Sequence, residues 1–337
     1  MREYKKIIIT NLPAFYKIRL FNEINRKTPL LVVFLGHSSI GRNADFYKGN
    51  MDFDYLNLNK GFFGNVGLLI YVFRKSAFRE LILGGWDSIY MWISLLFSPK
   101  RKNSVIVESS ICESQIVGLK GKIKEFFLSR CSKAYVPGKS NADLVKLLGF
   151  TGRIIKTKGC GIFNYIPQPV YEYRKKVQRF IYVGRLAEEK NLRFLIEVFN
   201  ELPEYVLDIV GFGPLEKELK KLAAPNIVFA GAVENENLPL YYGRADVFIL
   251  ASKREPWGIV VEEALNNGLP VIVSDKVGCA EELVNDSNGL IFKYDDVVSL
   301  KAAIERIVKI DYYNNLRFNI SHLNFEKVEK EQVECYV

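Results

Sequence analysis

Residues 247–274 read VFILASKREPWGIVVEEALNNGLPVIVS, and the pattern of this stretch sets the architecture of the second half of the chain. Four apolar residues, 247–250, give way to a charged loop and then to an apolar run that carries Glu262 and Glu263. Gly268 and Pro270 follow, and a second apolar run occupies 271–274. Short runs rich in β-branched residues and bounded by turn residues read as strands, and the segment between them has the length of a helix. Strand–helix–strand order of this kind builds a parallel sheet with right-handed crossovers. Working outward, further strands are expected at 180–183, 206–210 and 227–230, and helices at 191–201, 215–222, 238–242 and 258–267. The first half repeats the alternation less clearly. Strands are expected at 6–10, 30–35, 81–84, 104–107 and 133–136, and helices at 15–26 and 140–148, while residues 60–98 otherwise show no clear period.

The whole is an α/β chain of 337 residues, a length that suits two domains. A join is expected at 163–176, which holds Pro167 and Pro169 and then a charged run. The expected division is 1–165, 166–310 and a helical tail at 311–337 that packs back toward the first domain. Apolar residues at 49% and charged residues at 25% fit a globular protein and exclude a disordered one. No signal peptide is expected, and the most apolar stretch, 89–97, is too short to span a membrane. Five scattered cysteines without a CxxC pair suggest neither a zinc site nor a disulfide framework, so a reducing, cytoplasmic setting is expected.

The net charge of +9 is unevenly spread: residues 1–165 carry +15 and the remainder −6. Such asymmetry implies an anionic partner for the first half. Residues 119–133 combine Lys120, Lys122, Lys124, Arg130 and Lys133 with Ile123, Phe126, Phe127 and Leu128. They could form a basic amphipathic helix on lipid headgroups, or a solvated helix whose apolar stripe packs on its own domain. The basic residues carry no RNA-binding signature, so no nucleic-acid partner is expected.

Three loops after second-half strands suit an anionic, hydroxylated ligand. Gly184-Arg185-Leu186-Ala187-Glu188-Glu189-Lys190 offers two cations before a helix, a fork and a point charge for a diphosphate. Val210-Gly211-Phe212-Gly213-Pro214 allows close backbone approach, and Pro214 is read as starting a helix whose free amides suit phosphate. In Glu255-Pro256-Trp257-Gly258-Ile259, Pro256 is read into the first helical turn, and the amides around Gly258 and Ile259 face a ligand. Glu255 stands ahead of that helix, and Glu263 lies about two turns along it at roughly 1.5 Å per residue. Two separated carboxylates with phosphate between them match a nucleoside diphosphate sugar: hexose, pyrophosphate, ribose. Solvent-facing glutamates would not account for Glu262 and Glu263 inside an otherwise apolar helix.

From Tyr182 to Phe292 the chain resembles the C-terminal domain of family 4 of the glycosyltransferases, of the bacterial polysaccharide-assembly type. The pieces are YVGRLAEEKN, DIVGFGPLEKEL, VFAGAV, the run YYGRADVFILASKREPWGIVVEEALNNGLPVIVSDKVGCAEELV, and NGLIF. The resemblance implies the GT-B fold, two Rossmann-like domains with parallel sheets facing a central cleft, and a retaining transfer from a nucleotide sugar. It places the diphosphate on Arg185 and Lys190 after Gly184, the transferred sugar on Glu255, and the ribose on Glu263. The amides of Trp257, Gly258 and Ile259 would face sugar and phosphates, Gly211 and Gly213 would line the site, and the base would meet backbone near Val233.

In the first half, ITNLPAFYKIRLFNEI, VIVESSICE and AYVPGKSNADLVKLLGF resemble the same family's first domain. Tyr16, Lys17, Arg19, Glu108 and Glu113 are the candidate acceptor-side residues. Pro13-Ala14-Phe15 stands where many relatives have two glycines, and neither His37 nor His322 matches the family's histidine. Asp52-Phe53-Asp54 has the form of a metal-holding DxD but is read as a chance pair, so neither a metal nor another cofactor is expected. Without two carboxylates flanking one reacting carbon, a front-face route is expected rather than a double displacement. The rival readings are a nucleotide-sugar epimerase of the same architecture and a non-catalytic lipid- or nucleic-acid-binding module. The expected acceptor is a glycan or lipid-linked acceptor in cell-surface polysaccharide synthesis, and the protein itself is expected in the cytoplasm, peripheral on the inner face of the cytoplasmic membrane.

Overall fold

The computed structural model describes residues 2–36, 44–47, 49–111, 113–162 and 171–337. The chain divides into two compact units, one formed by Met1–Phe163 with Lys327–Val337 and the other by Asn164–Glu326. In the first unit, β1 (Arg2–Glu3) pairs with β5 (Ser76–Ala77), and seven parallel strands make the main sheet. These are β2 (Lys6–Thr10), β3 (Leu30–Phe34), β4 (Asp54–Asn57), β6 (Glu80–Leu83), β7 (Asn103–Ile106), β8 (Lys133–Val136) and β9 (Arg153–Lys156), in the order β4-β3-β2-β6-β7-β8-β9. Every residue of β2, β3, β6 and β7 is buried, as expected for parallel strands covered on both faces.

Helix α1 (Phe15–Lys27) leads from β2 to β3. Helices α2 (Gly61–Lys75), α3 (Ile89–Leu96), α4 (Gly118–Ser129) and α5 (Lys139–Leu147) cross in the other direction. Right-handed crossovers therefore put α2–α5 on one face and α1 on the other. The two core clusters follow that division. Leu69, Met91, Phe127 and Leu144 pack with Ile7, Ile9 and Leu81. Ile18, Phe21 and Ile24 pack with Ile8, Ile82 and Tyr135.

In the second unit the strands β10 (Arg179–Val183), β11 (Val206–Val210), β12 (Ile227–Gly231), β13 (Val247–Leu250), β14 (Val271–Ser274) and β15 (Gly289–Phe292) are all parallel, in the order β12-β11-β10-β13-β14-β15. Between and after them run α6 (Leu192–Asn200), α7 (Glu216–Leu222), α8 (Leu238–Arg244), α9 (Ile259–Asn266), α10 (Ala280–Leu283), α11 (Val297–Ile307) and α12 (Ile310–Ile320). Helix α13 (Phe325–Cys335) returns the chain to the first unit, where the ring of Tyr336 stacks on Tyr135 at 4.6 Å between centroids. The expected 311–337 tail is therefore divided: α12 belongs to the second unit and Lys327–Val337 to the first.

Other expectations shift locally. The amphipathic helix read at 119–133 ends at Ser129, where Arg130 and Cys131 donate back to the carbonyls of Phe127 and Leu128, and Lys133 opens β8 instead. The unparsed stretch 60–98 holds α2, β5, β6 and α3. Of the expected linker at 163–176, residues 163–170 lie outside the described residues, as does His37.

Candidate functional site

In an open parallel sheet, ligands gather at the carboxyl ends of the strands, at the point where the strand order reverses. In the second unit that point lies between β10 and β13, because the chain runs outward through β11 and β12 and then returns to β13. The loops leaving β10 and β13 carry Gly184–Lys190 and Ala251–Gly258, so three sequence-selected residues meet there. Lys190 donates to the carboxylate of Glu255, which also accepts from Ser252 Oγ at 3.4 Å. Both partners are largely buried, with side-chain exposures of 16% and 12%. Arg185 pairs with Glu189, four residues further along the chain. Although burial would raise the Glu189 carboxyl, its own backbone amide and Arg185 hold it below the usual range. Arg185 and Lys190 are thus each held by a carboxylate of the chain itself. Gly184, the first residue past β10, bonds its amide to the Val210 carbonyl at 2.9 Å and ties the loop to β11.

Gly211 and Gly213 lie in the loop after β11, and the reason for glycine is internal. A Cβ at Gly211 would stand 1.9 Å from the Gly184 carbonyl oxygen, and one at Gly213 would stand 2.3 Å from the Leu186 carbonyl oxygen. The glycines let these two loops touch. The helix expected to start at Pro214 begins at Glu216 instead, and the amide of its N-cap, Leu215, donates to the Leu186 carbonyl at 3.1 Å. Val233 is half-buried in the loop after β12.

The helix after β13 likewise starts later than read. Gly258, at φ +104°, is the N-cap, Ile259 is the first helical residue, and Pro256 lies in the loop before it. Glu255 is tied to the loop after β14, its amide donating to Lys276 at 3.3 Å and its carbonyl accepting from Gly278 at 2.8 Å. The side chain of Trp257 points inward: it is 2% exposed, and its Nε1 donates to Glu262 at 2.9 Å. Only its backbone can face a ligand. Glu263 accepts from Tyr242 Oη at 3.1 Å. Burial, offset only in part by these single hydrogen bonds, pushes the Glu262 carboxyl up to about 8 and that of Glu263 up to about 7.

Sequence reasoning missed Glu189, Ser252 and Tyr242 as members of this cluster, and missed Glu262 as the anchor of Trp257. For Tyr242 no local signal exists, because its partner lies 21 residues away. For Glu262 the signal was a carboxylate inside an apolar helix.

In the first unit the order reverses between β2 and β6, and Asn11 bridges that point by donating to Asp87 at 2.8 Å. Lys17 on α1 reaches Glu108, after β7, at 2.9 Å. Burial works against that ammonium, but the Glu108 carboxylate holds it above the usual lysine range. Tyr16 packs edge-on against Phe15 and Phe46. Arg19 faces Glu329 of α13 at 3.9 Å, and Glu113 accepts from the Ser110 amide at 3.2 Å. Asp52 and Asp54 stand at the start of β4, the opposite end from the strand carboxyl termini, and Asp54 accepts from Tyr4 Oη at 2.6 Å. Among the described residues no cluster of three His, Cys, Asp or Glu could hold a metal ion. His322 caps α12, its Nδ1 lying 2.8 Å from the Phe318 carbonyl.

Residues 168–321 match the family described as glycosyl transferases group 1. The matched stretch is a little under half of the chain. It holds Arg185, Lys190, Glu255, Glu262 and Glu263. Among curated relatives the chain is 36% identical over 110 residues to the sulfoquinovosyl transferase of Arabidopsis thaliana, covering 32% of this chain and 22% of that protein. It is 32% identical over 210 residues to the alpha-monoglucosyldiacylglycerol synthase of Acholeplasma laidlawii, covering 53% of this chain and 50% of that protein. The chain therefore spans half or less of the length of these relatives. Over the whole chain the fold is GT-B. The Anabaena Alr3699/HepE protein, solved in complex with UDP-glucose, superposes with a TM-score of 0.70 at 14% identity, covering 98% of each chain.

Proposed function

We propose that this chain is a group 1 glycosyl transferase that moves a hexose-type sugar from a nucleoside diphosphate sugar to a glycan or lipid-linked acceptor, with retention and without a metal. The observation that carries the reading is the convergence of Arg185, Lys190 and Glu255 at the strand-order reversal of the second unit. A diphosphate entering there exchanges partners with the chain: Lys190 leaves Glu255 and Arg185 leaves Glu189, each for a phosphate oxygen. Glu255, released, accepts from a hydroxyl of the transferred sugar, and the first amides of α9 face the leaving group. In the chemical step the bond from the anomeric carbon to the phosphate oxygen breaks. The acceptor oxygen bonds the same face of that carbon, and its proton passes to the departing phosphate. Catalysis is then mainly electrostatic, through cations and amides set where charge develops. The UDP-glucose bound by the Anabaena protein supports the donor class, and the name of the Acholeplasma relative supports a lipid acceptor. A basic first half in contact with an anionic membrane fits such an acceptor.

The test is a thermal-shift and hydrolysis screen against UDP-, GDP-, ADP- and dTDP-sugars, with Glu263→Ala as control. Stabilisation by one nucleotide family that the control loses supports the reading, as does activity that survives EDTA. No response to any nucleotide sugar would remove it.

A further inference from the structure

Three successive helices of the first unit are apolar on the side that faces solvent. On α4, Leu119, Ile123 and Phe126 lie at i, i+4 and i+7 and are exposed, while Phe127 and Leu128 face the core. On α3, Ile89 and Leu96 with the half-buried Ile93 have the same spacing, while Met91 and Leu95 point inward. On α2, Phe63 and Tyr71 stand out opposite Leu69 and Val72. Phe63 is 87% exposed, Leu96 79% and Leu119 75%. An ordinary surface helix does the reverse: α6 buries Leu192, Phe194, Leu195, Ile196, Val198 and Phe199 and shows solvent no large apolar side chain. The three stripes are joined by ring contacts, Phe62 of α2 with Tyr90 of α3 at 6.0 Å and Trp92 of α3 stacked on Phe126 of α4 at 6.2 Å. Because α2, α3 and α4 share one face of the sheet, they form a broad surface rather than a single ridge. A large contiguous apolar surface marks an interaction site.

We propose that this outward face of α2, α3 and α4 docks on an anionic lipid bilayer, an inference that rests on the lipid-side acceptor of the proposed function. Residues 60–130 carry eleven Lys and Arg against five Asp and Glu, and Lys120 and Lys122 are exposed within the α4 stripe itself. Exposed apolar side chains flanked by Lys120 and Lys122 suit acyl chains beneath anionic headgroups. A second copy of the chain suits them less, because a two-fold interface would set the same excess of cations against itself.

The experiment is co-sedimentation of the full chain with vesicles of phosphatidylcholine alone and of phosphatidylcholine with phosphatidylglycerol, at low and raised salt. Binding to the phosphatidylglycerol vesicles that weakens with salt is expected. The triple variant F63S/L96S/F126S should weaken it at least about tenfold, and K120Q/K122Q roughly tenfold. V228S/L240S, which alters exposed apolar residues of the second unit, should leave it unchanged. Equal binding by the triple variant, or no binding by the wild-type chain, overturns the proposal. So does a wild-type dimer that the triple variant converts to monomer without change in vesicle binding, which would assign the face to a second copy. The nucleotide-sugar thermal shift of the triple variant should match the wild type. Loss of donor response throughout with vesicle binding intact would count against the proposed function and leave this surface standing.

Discussion

Each unit buries carboxylates, and the two sets rest on different electrostatics. In the first, Glu80 opens β6 and accepts from Lys6 at 2.5 Å, Ser104 at 2.6 Å, and Lys133 and Tyr135 at 3.0 Å each. Burial alone would raise this carboxyl, but Lys6 and the other donors bring it down to about 2. In the second, Glu262 and Glu263 each have one neutral side-chain donor and rise above the ordinary range. In the loops of that region, Arg185 and Lys190 are engaged by Glu189 and Glu255. Glu80 sits at the amino end of its sheet, where a completed ion cluster serves only the fold. Glu262 and Glu263 sit on the helix that follows β13, at the carboxyl end, and both are buried.

Glu80 separates the two sets most clearly. Glu80→Leu leaves Lys6 buried without its counterion, and a loss of about 3–5 kcal/mol in chemical denaturation is expected; a loss below ~1 kcal/mol would mean the cluster is not structural. Arg185→Ala should do the opposite, leaving the melting temperature nearly unchanged while turnover falls by about 10²–10³. A drop in stability with only a modest loss of turnover would make Arg185 a structural residue like Lys6. Glu263→Gln removes a carboxylate that burial disfavours, so at pH 8 the donor-free chain should gain roughly 1–3 kcal/mol while its thermal response to donor disappears. At pH 4, where the wild-type group is protonated in both folded and unfolded chains, that gain should vanish.

The smallest effect is in the pH profile itself. Glu80, with its folded value depressed, contributes stability that is present above about 4.5 and is lost as pH falls toward about 2. Glu262 and Glu263, with folded values raised, contribute stability that is present below about 4.5 and is lost as pH rises through about 7 to 8. Thermal melts across this range should therefore decline on both sides. Glu80→Leu should flatten the acid limb, and Glu263→Gln should flatten part of the alkaline one. An alkaline limb unchanged by Glu263→Gln would mean that the carboxyl is not buried in the donor-free chain.

The second sheet was legible in sequence almost strand by strand. Its helices hide their apolar faces, so the period of α6 and the short apolar runs of β10, β11, β13 and β14 survive in the residue order. Residues 60–98 were not legible for a reason the structure supplies. In α2 and α3 both the inward and the outward faces are apolar, from Leu69 and Met91 to Phe63 and Leu96, so no polar face remains to mark a 3.6-residue repeat. Strand β4 was missed because it is a polar edge, Asp54-Tyr55-Leu56-Asn57 with its first two residues exposed. In the candidate site, Arg185, Lys190 and Glu255 could be selected because each follows a strand. The partners Glu189, Ser252 and Tyr242 depend on side-chain directions that spacing does not reveal.

The return of the last helix to the first unit has a consequence for the order of assembly. The face of the first sheet that α1 begins to cover receives Val333 and Tyr336 only after all of Asn164–Glu326 has been synthesised. During translation the first unit waits with Tyr135 uncapped while the second already has every strand of its own sheet. A chain cut after residue 326 would keep each residue of the candidate donor crevice, yet its lesion would lie in the other half, in a unit that is made first and finished last.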